Sequence, residues 1–360
     1  FTITSIGTGI APDINLFVIA RFLGGLAVGA ASILSPMYIS EIAPSSSRGR
    51  LVALYQLSIV LGILISYFIN YLLHDIGDTN WRWMFLTGTI PSLLFFVLLF
   101  LVPETPRYLF KKGKKEQSYK ILEKINGKEE ADKAIVQIEE SLTETKVSFR
   151  QLLKPGYRHM MWVGFGLAVL VQISGINTII DYAPIILKTA GWKIDAALFS
   201  TFVIGFVNLI FTLVSIWAID KYGRRPLYII GSAGMALMLL GLTIANLIGR
   251  FEGPVVLIFI LIFIAFFAAC IGPVFWTLVA EIFPNKIRGT AMSVPVFTQW
   301  IFNALVVMFF PWMLVNAGGA VTFGFLALMS LLMMLFTIYF IPETKGKSLE
   351  EIEKIWESEK

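Results

Sequence analysis

A few amides, tryptophans and charges lie inside the long apolar stretches of this chain, and they are the residues with chemistry to offer. Gln172 and Asn177 flank Ser174-Gly175, a small-residue break, with Pro184 farther on. Gln56 stands among Leu54, Leu57 and Ile59, Asn208 lies in the middle of a stretch, and Trp276 follows Gly272-Pro273, where a helix is expected to bend. Gln299 and Asn303 are spaced i,i+4, hence on one helical face, with Trp300 close by. An amide in hydrocarbon costs on the order of several kcal/mol when unsatisfied, so these side chains must face a protein interior. There they hydrogen-bond either a neighbouring helix or a bound molecule. The tryptophans offer either ordinary packing or a flat apolar face for a ligand.

Two charges share this setting. Asp181, beside Tyr182, is four residues beyond Asn177 and on roughly the same face if that stretch is helical. An acid within a span marks a functional site by default; the alternative is an Asp near the outer mouth that reaches water. Arg21 lies on a face with Gly25 and Gly29 that permits close helix approach, and a lone buried guanidinium calls for a carboxylate. Nothing here reads as an enzyme. His74 and His159 lie near the ends of apolar stretches with no Ser, Cys or acid constellation, and metal-ligand spacings and a phosphate-binding Walker loop are absent from the sequence. Neither metal nor cofactor is expected. One cysteine, Cys270, excludes an intrachain disulfide.

The elements that must position these residues follow from composition. With 57% hydrophobic and only 15% charged residues and a mean hydropathy of +0.77, the chain departs from soluble usage. Its charges are bunched between apolar runs of membrane-spanning length. We expect an all-α polytopic membrane protein with nine full spans, at 15–43, 51–73, 82–102, 157–187, 195–219, 226–249, 254–283, 290–315 and 320–341. Residues 1–11 read as the tail of a further helix closed by Pro12-Asp13. The segments lack the period-two alternation of barrel strands. Between 103 and 156 the chain turns Lys/Glu-rich, and short soluble helices are expected. One runs from Gly113 to Asn126 and stops at Gly127; the next has Ala131, Ile135, Ile138 and Leu142 on one face. They form either a solvated linker or a small helical domain that latches one mouth. Ser348-Leu-Glu-Glu351 has capping-box spacing and opens a short surface helix.

A second set of charges lies at the span ends: Glu41, Arg48, Glu104, Arg107, Asp220, Arg224, Arg225, Glu281 and Arg288. Part of it repeats. Glu-x-x-Pro-x-x-x-Arg-Gly occurs at 41–49 and again at 281–289, and Pro-Glu-Thr at 103–105 and 342–344, offsets of 240 and 239 residues. Two unrelated patterns with nearly one offset imply two homologous halves in series. Asp220-Lys-Tyr-Gly-Arg-Arg225 has no counterpart, because its copy would precede Phe1. The expectation is a first half that lacks its beginning, with six plus six helices when complete. Of 29 Lys and Arg, 24 fall in alternate connections, which the positive-inside rule places in the cytoplasm together with the linker and carboxyl tail. The basic balance is therefore a topology signal and requires no nucleic acid. The expected divisions are the remainder of an N-terminal transmembrane half (1–108), a cytoplasmic helical linker domain (109–156), a six-helix C-terminal half (157–341) and a cytoplasmic tail (342–360).

Gly-Arg-Arg at 223–225, the two Glu-x-x-Pro-x-x-x-Arg-Gly motifs, Pro-Glu-Thr-Pro-Arg at 103–107, Gln-x-x-Gly-Ile-Asn at 172–177 and Pro-Glu-Thr-Lys-Gly at 342–346 together resemble the sugar porter family of the major facilitator superfamily. Within that family the chain looks like bacterial xylose/proton symporters and their hexose-carrying relatives. The resemblance implies a secondary transporter of the major facilitator type that moves a monosaccharide, a pentose or hexose, by alternating access with a proton. It implies sugar contacts at Gln56, Gln172, Asn177, Trp276 and Gln299, to which we add Asn208, Tyr182, Trp300 and Asn303. It also pairs Arg21 with an aspartate on a first helix in a protonation-linked step, where Asp181 is a second candidate. Two departures stand out, Val171 where family members have Gln and Asp181 where a tyrosine is expected. The span-end charges would form a cytoplasmic gate of salt bridges across the halves; the alternative is that they only set topology. The expected partners are a monosaccharide, a proton and the lipid bilayer of the cell membrane, with the chain acting as a monomer. Facilitated uniport and polyol (inositol) symport are the nearest alternatives. A non-transporting sugar sensor would need a long signalling extension, and only 17 residues follow Glu343.

Overall fold

The computed structural model describes residues 1–42, 48–143, 152, 155–283 and 287–345. Among them the regular elements are helices. These are α1 (Thr2–Ile10), α2 (Ile14–Ile42), α3 (Arg48–Leu73), α4 (Asn80–Thr87), α5 (Thr89–Leu99), α6 (Pro106–Lys111), α7 (Lys115–Asn126), α8 (Lys128–Thr143), α9 (Pro155–Ile173), α10 (Ile176–Thr189), α11 (Ile194–Tyr222), α12 (Arg224–Leu247), α13 (Gly253–Cys270), α14 (Gly272–Glu281), α15 (Arg288–Asn316) and α16 (Gly318–Phe340). Nine spans among the described residues are long and apolar enough to cross a bilayer. Three are each built from two helices, and two of these break where backbone chemistry requires it. The span at Tyr157–Thr189 divides at Ser174-Gly175, and a Cβ on Gly175 would stand 2.7 Å from Leu326. That at Gly253–Glu281 divides at Ile271, because Pro273 has no N–H to continue the ladder. The break of Asn80–Leu99 at Gly88 has no such signal in the sequence.

The chain divides into two units. One comprises Phe1–Tyr55 and Phe68–Thr145, the other Gln56–Tyr67 and Lys146–Lys360. In the first, α1 packs on α2, α4 and α5. Asp13 caps α2 by accepting from the N–H groups of Asn15 and Leu16 at 2.8 and 3.0 Å. Phe17 packs edge-on against Trp81 and Phe85. The short helices α6, α7 and α8 pack together around Leu109, Phe110, Leu122 and Ala131. Pro106 at the start of α6 is preorganised for the first turn, and Thr105 caps it by accepting from the Tyr108 N–H at 3.3 Å. The sequence-derived helix from Gly113 begins at Lys115, and the surface helix expected around Ser348 lies outside the described residues.

The second unit holds the larger core, where Leu167, Ile186, Leu239, Phe263, Phe283 and Phe323 are fully buried. Here α12 packs on α13 and α16, α9 on α15 and α16, and α11 on α10 and α13. Small residues set the closest approach, as expected where lipid tails are as apolar as the helices themselves. A Cβ on Gly231, Gly234 or Gly241 of α12 would fall 2.2–2.6 Å from Cys270, Phe266 or Phe259 of α13. Several buried hydroxyls are satisfied within their own helix, as when Ser330 and Thr337 donate to the carbonyls of Leu326 and Met333 at 3.0 and 2.8 Å, whereas those of Thr178, Ser215 and Tyr228 find no partner among the described residues.

Candidate functional site: an amide-lined set in the second unit

Gln56 is buried within the part of α3 that belongs to the second unit. Its Oε1 accepts a hydrogen bond from Nε1 of Trp276, 220 residues later, at 3.1 Å. Trp276 is carried by α14, which begins afresh at Gly272 after the break at Ile271. A Cβ on Gly272 would lie 3.5 Å from Nε2 of Gln56, so the helix break brings backbone close to the amide. Gln172 sits in the last turn of α9 and Asn177 in the first turn of α10, either side of the Gly175 break. The break turns one towards the other, and Asn177 Nδ2 donates to Gln172 Oε1 at 2.8 Å.

On α15, Gln299 and Asn303 repeat the i,i+4 arrangement expected of them. Their side-chain oxygens, Oε1 and Oδ1, are buried with no hydrogen-bond partner among the described residues. Buried polar atoms are partnered in the great majority of cases; these two acceptors share their unpartnered state with the hydroxyls of Thr178, Ser215 and Tyr228, but lie together, one helical turn apart. The pairs already formed leave Nε2 of Gln56, Nε2 of Gln172 and Oδ1 of Asn177 available. The set therefore offers both donors and acceptors and no net charge, which complements a neutral molecule rich in hydroxyl groups.

The remaining candidates make separate contacts. Asn208 is buried on α11 with Thr212 at 3.5 Å, the outer limit of a hydrogen bond. Tyr182 on α10 donates to the Val307 carbonyl at 3.2 Å and its ring lies 5.4 Å from that of Phe310, which ties α10 to α15. Trp300 is 37% exposed, on α15. Asp181 is exposed on α10, one turn beyond Asn177. Next to it the Ile180 carbonyl accepts from the Tyr67 hydroxyl at 2.8 Å, a tie between α3 and α10 that the sequence does not announce. Arg21, in the first unit, is exposed with its guanidinium 5.2 Å from the Phe85 ring centroid. That distance is within cation–π range, and no carboxylate pairs with it among the described residues.

The span-end charges divide. The side chains of Glu41, Arg48, Asp220 and Arg288 lie outside the described residues, while Glu104 and Arg107 are exposed in the first unit. Arg224, Arg225 and Glu281 come together in the second. Arg224 Nη2 stands 3.1 Å from Glu281 Oε1, and the Thr344 hydroxyl donates to Glu281 Oε2 at 2.5 Å. Arg225 Nη2 donates to the Ile338 carbonyl at 2.6 Å. Sequence reasoning missed the centre of this cluster, Glu343. Its carboxylate accepts from the backbone N–H groups of Arg224 and Arg225, each at 3.1 Å, and so caps the positive end of α12. Gly223 makes this possible. Its φ of +92° and ψ of 166° suit glycine almost alone, and a Cβ there would stand 2.6 Å from Glu343 Oε2. The repeated Pro-Glu-Thr motif marked Glu343 as part of a pattern, but nothing in the sequence joins it to a helix start 119 residues earlier.

Known proteins carry the same architecture. The family model described as "Sugar (and other) transporter" matches residues 1–356. The D-xylose-proton symporter of Escherichia coli K12 is 42% identical over 355 residues, covering 95% of this chain and 72% of that protein. The arabinose-proton symporter of Bacillus subtilis 168 is 40% identical over 363 residues, covering 99% and 78%. A solved structure of the E. coli proton:xylose symporter XylE, bound to 6-bromo-6-deoxy-D-glucose, superposes with a TM-score of 0.84 at 39% identity over 99% of this chain and 81% of that one. Helix content, span number, motifs and these likenesses agree: the chain is a multi-pass membrane protein of the sugar transporter family, with the major facilitator fold.

Proposed function

We propose that this protein moves a monosaccharide, a pentose or hexose, across the membrane by alternating access in symport with a proton. The observation that carries the reading is the amide set of the second unit. Gln56, Gln172, Asn177, Gln299 and Asn303 present unpaired donors and acceptors without net charge, and Trp276 adds an aromatic surface, the combination a sugar's hydroxyls and C–H face require. Asn208, Tyr182 and Trp300 complete the proposed contacts. The named activities of the symporters at 40–42% identity support the same substrate class and the same coupling ion.

In this reading the sugar leaves unchanged, so no catalytic residue, metal or cofactor is assigned. The discontinuities at Gly175 and Ile271 put backbone irregularity beside the amides, as in transporters whose sites are formed by broken helices. Arg21 and Asp181 are the proposed proton-coupling residues, since each is an ionisable group within a span. Glu41, Arg48, Glu104, Arg107, Asp220, Arg224, Arg225, Glu281 and Arg288 form the proposed cytoplasmic gate. Its ion pairs are individually weak, of order 0–1 kcal/mol when exposed, and so can release as states interchange. We place residues 109–156 and 342–360 in the cytoplasm as linker domain and tail, between and after membrane halves 1–108 and 157–341, with the chain acting as a monomer. Uptake of labelled pentoses, hexoses and myo-inositol by the intact protein in proteoliposomes tests the reading. At least one monosaccharide should enter, and Gln172→Leu should raise its half-saturation concentration. Uptake of myo-inositol alone, or indifference to Gln172→Leu, would overturn it.

A further inference from the structure

The geometry points to a binding site for the headgroups of anionic phospholipids on α6 and the start of α7, where the chain leaves the bilayer after its third full span. Phe100 and Leu101 are each 77% exposed and Val102 is exposed too, so lipid-facing apolar surface continues to Pro103. Lys111 follows eight residues later, across a short extended link and the six residues of α6, about 20 Å at most. A headgroup layer of roughly 5–7 Å, a lysine's own length and a Debye length of about 8 Å cover that distance. The helix cannot swing away. Pro106, Leu109 and Phe110 are buried, the Tyr38 hydroxyl donates to the Pro103 carbonyl at 2.8 Å, and Ser118 Oγ donates to the Pro106 carbonyl at 2.8 Å.

What α6 and the following turn leave outward is Arg107, Tyr108, Lys111, Lys112, Lys114 and Lys115. A solvated face ordinarily mixes signs, whereas this one separates them. Residues 104–116 hold five Lys and Arg against Glu104 and Glu116, while residues 128–140 hold five acids against Lys128 and Lys133. The acidic helix α8 takes Lys115, whose Nζ lies 2.7 Å from Glu139, and the Tyr119 hydroxyl, which donates to Asp132 at 2.8 Å. Lys112 rests over the Tyr108 ring at 4.5 Å. Lys111 and Lys114 have no carboxylate partner among the described residues. Cations clustered at a span exit, with an exposed tyrosine at the same level, match the phosphate and interfacial chemistry of an anionic leaflet. This site rests on the chain crossing a membrane and is independent of which solute it carries.

Native mass spectrometry of the intact protein in detergent, titrated with phosphatidylglycerol and separately with zwitterionic phosphatidylethanolamine, tests the site. The wild type should retain phosphatidylglycerol preferentially, and added salt should weaken that preference. The triple variant Lys111→Gln, Lys112→Gln, Lys114→Gln should lose about fivefold per lysine removed. An equal change of net charge farther along, Lys120→Gln, Lys124→Gln, Lys128→Gln, should leave the preference unchanged. Lys111→Glu alone, which spares the Lys112–Tyr108 contact, should lower it too. Equal retention by wild type and the first triple variant, or equal losses in both triple variants, would overturn the proposal.

Discussion

Gly223→Ala perturbs the cap on α12 in two separable ways. The backbone at φ +92°, ψ 166° is a region held almost only by glycine, and occupying it with alanine costs of order 1–3 kcal/mol. The new methyl would also fall 2.6 Å from Glu343 Oε2, so the carboxylate must move. That weakens its two 3.1 Å bonds to the N–H groups of Arg224 and Arg225. Charge-assisted bonds contribute about 1.5–3 kcal/mol each, and water recovers part of this at a partly exposed site, which leaves about 1–2 kcal/mol for the pair. The expected total is about 3 kcal/mol, or roughly 4 °C in the apparent unfolding temperature of the purified 360-residue protein. Glu343→Ala removes the acceptor without straining the backbone, and in that background Gly223→Ala should cost only the strain. The cycle of the two substitutions should therefore show a coupling of about 1–2 kcal/mol. Additive effects, or a Gly223→Ala protein as stable as the wild type, would refute the assignment of Glu343 as the cap.

Trp276→Phe removes the 3.1 Å bond to Gln56 but keeps an aromatic face; half-saturation for uptake should rise about three- to tenfold, with little change in protein level. Gly166→Val places side-chain atoms where a Cβ already meets Phe336 Cζ at 2.4 Å, so α9 and α16 must part; a cost of about 1–3 kcal/mol should appear in thermal unfolding. Glu281→Gln breaks the largely buried pair with Arg224 and weakens the acceptor for Thr344; stability should fall by about 1–3 kcal/mol, between the cost of an exposed and a fully buried pair, and the rate of sugar exchange, measured by counterflow, should change as well. Asp181→Asn keeps the shape of the side chain without its charge; equilibration should persist while accumulation against a gradient falls, measured as the ratio of internal to external sugar.

How much the sequence disclosed depended on whether a feature is local. Span positions and the breaks at Gly175 and Ile271 were legible, because hydropathy, a small-residue pair and a missing proline N–H act within a few residues. The start of α6 was not legible despite the cap-and-N1 signal of Thr105-Pro106, because a six-residue helix carries too little periodicity to stand out beside the Lys/Glu-rich stretch of α7 and α8. The amides were legible as residues that must face inward, and their substrate class came through family resemblance. Their partners were not legible. Gln56 meets Trp276 across 220 residues and Tyr67 meets the Ile180 carbonyl across 113, and no local rule sets either distance. Glu343 illustrates the same limit, since a carboxylate in a repeated motif acquires its role only when the end of α16 returns beside the start of α12.

The central claim is a monosaccharide carrier driven by a proton gradient, and one measurement addresses it directly. Intact protein in proteoliposomes with an acidic exterior should accumulate a labelled pentose or hexose above its external concentration. A protonophore should abolish the accumulation while leaving equilibration of the same sugar intact. Equilibration with no accumulation under the gradient would show a uniporter, and accumulation that survives the protonophore would exclude the proton as the coupling ion.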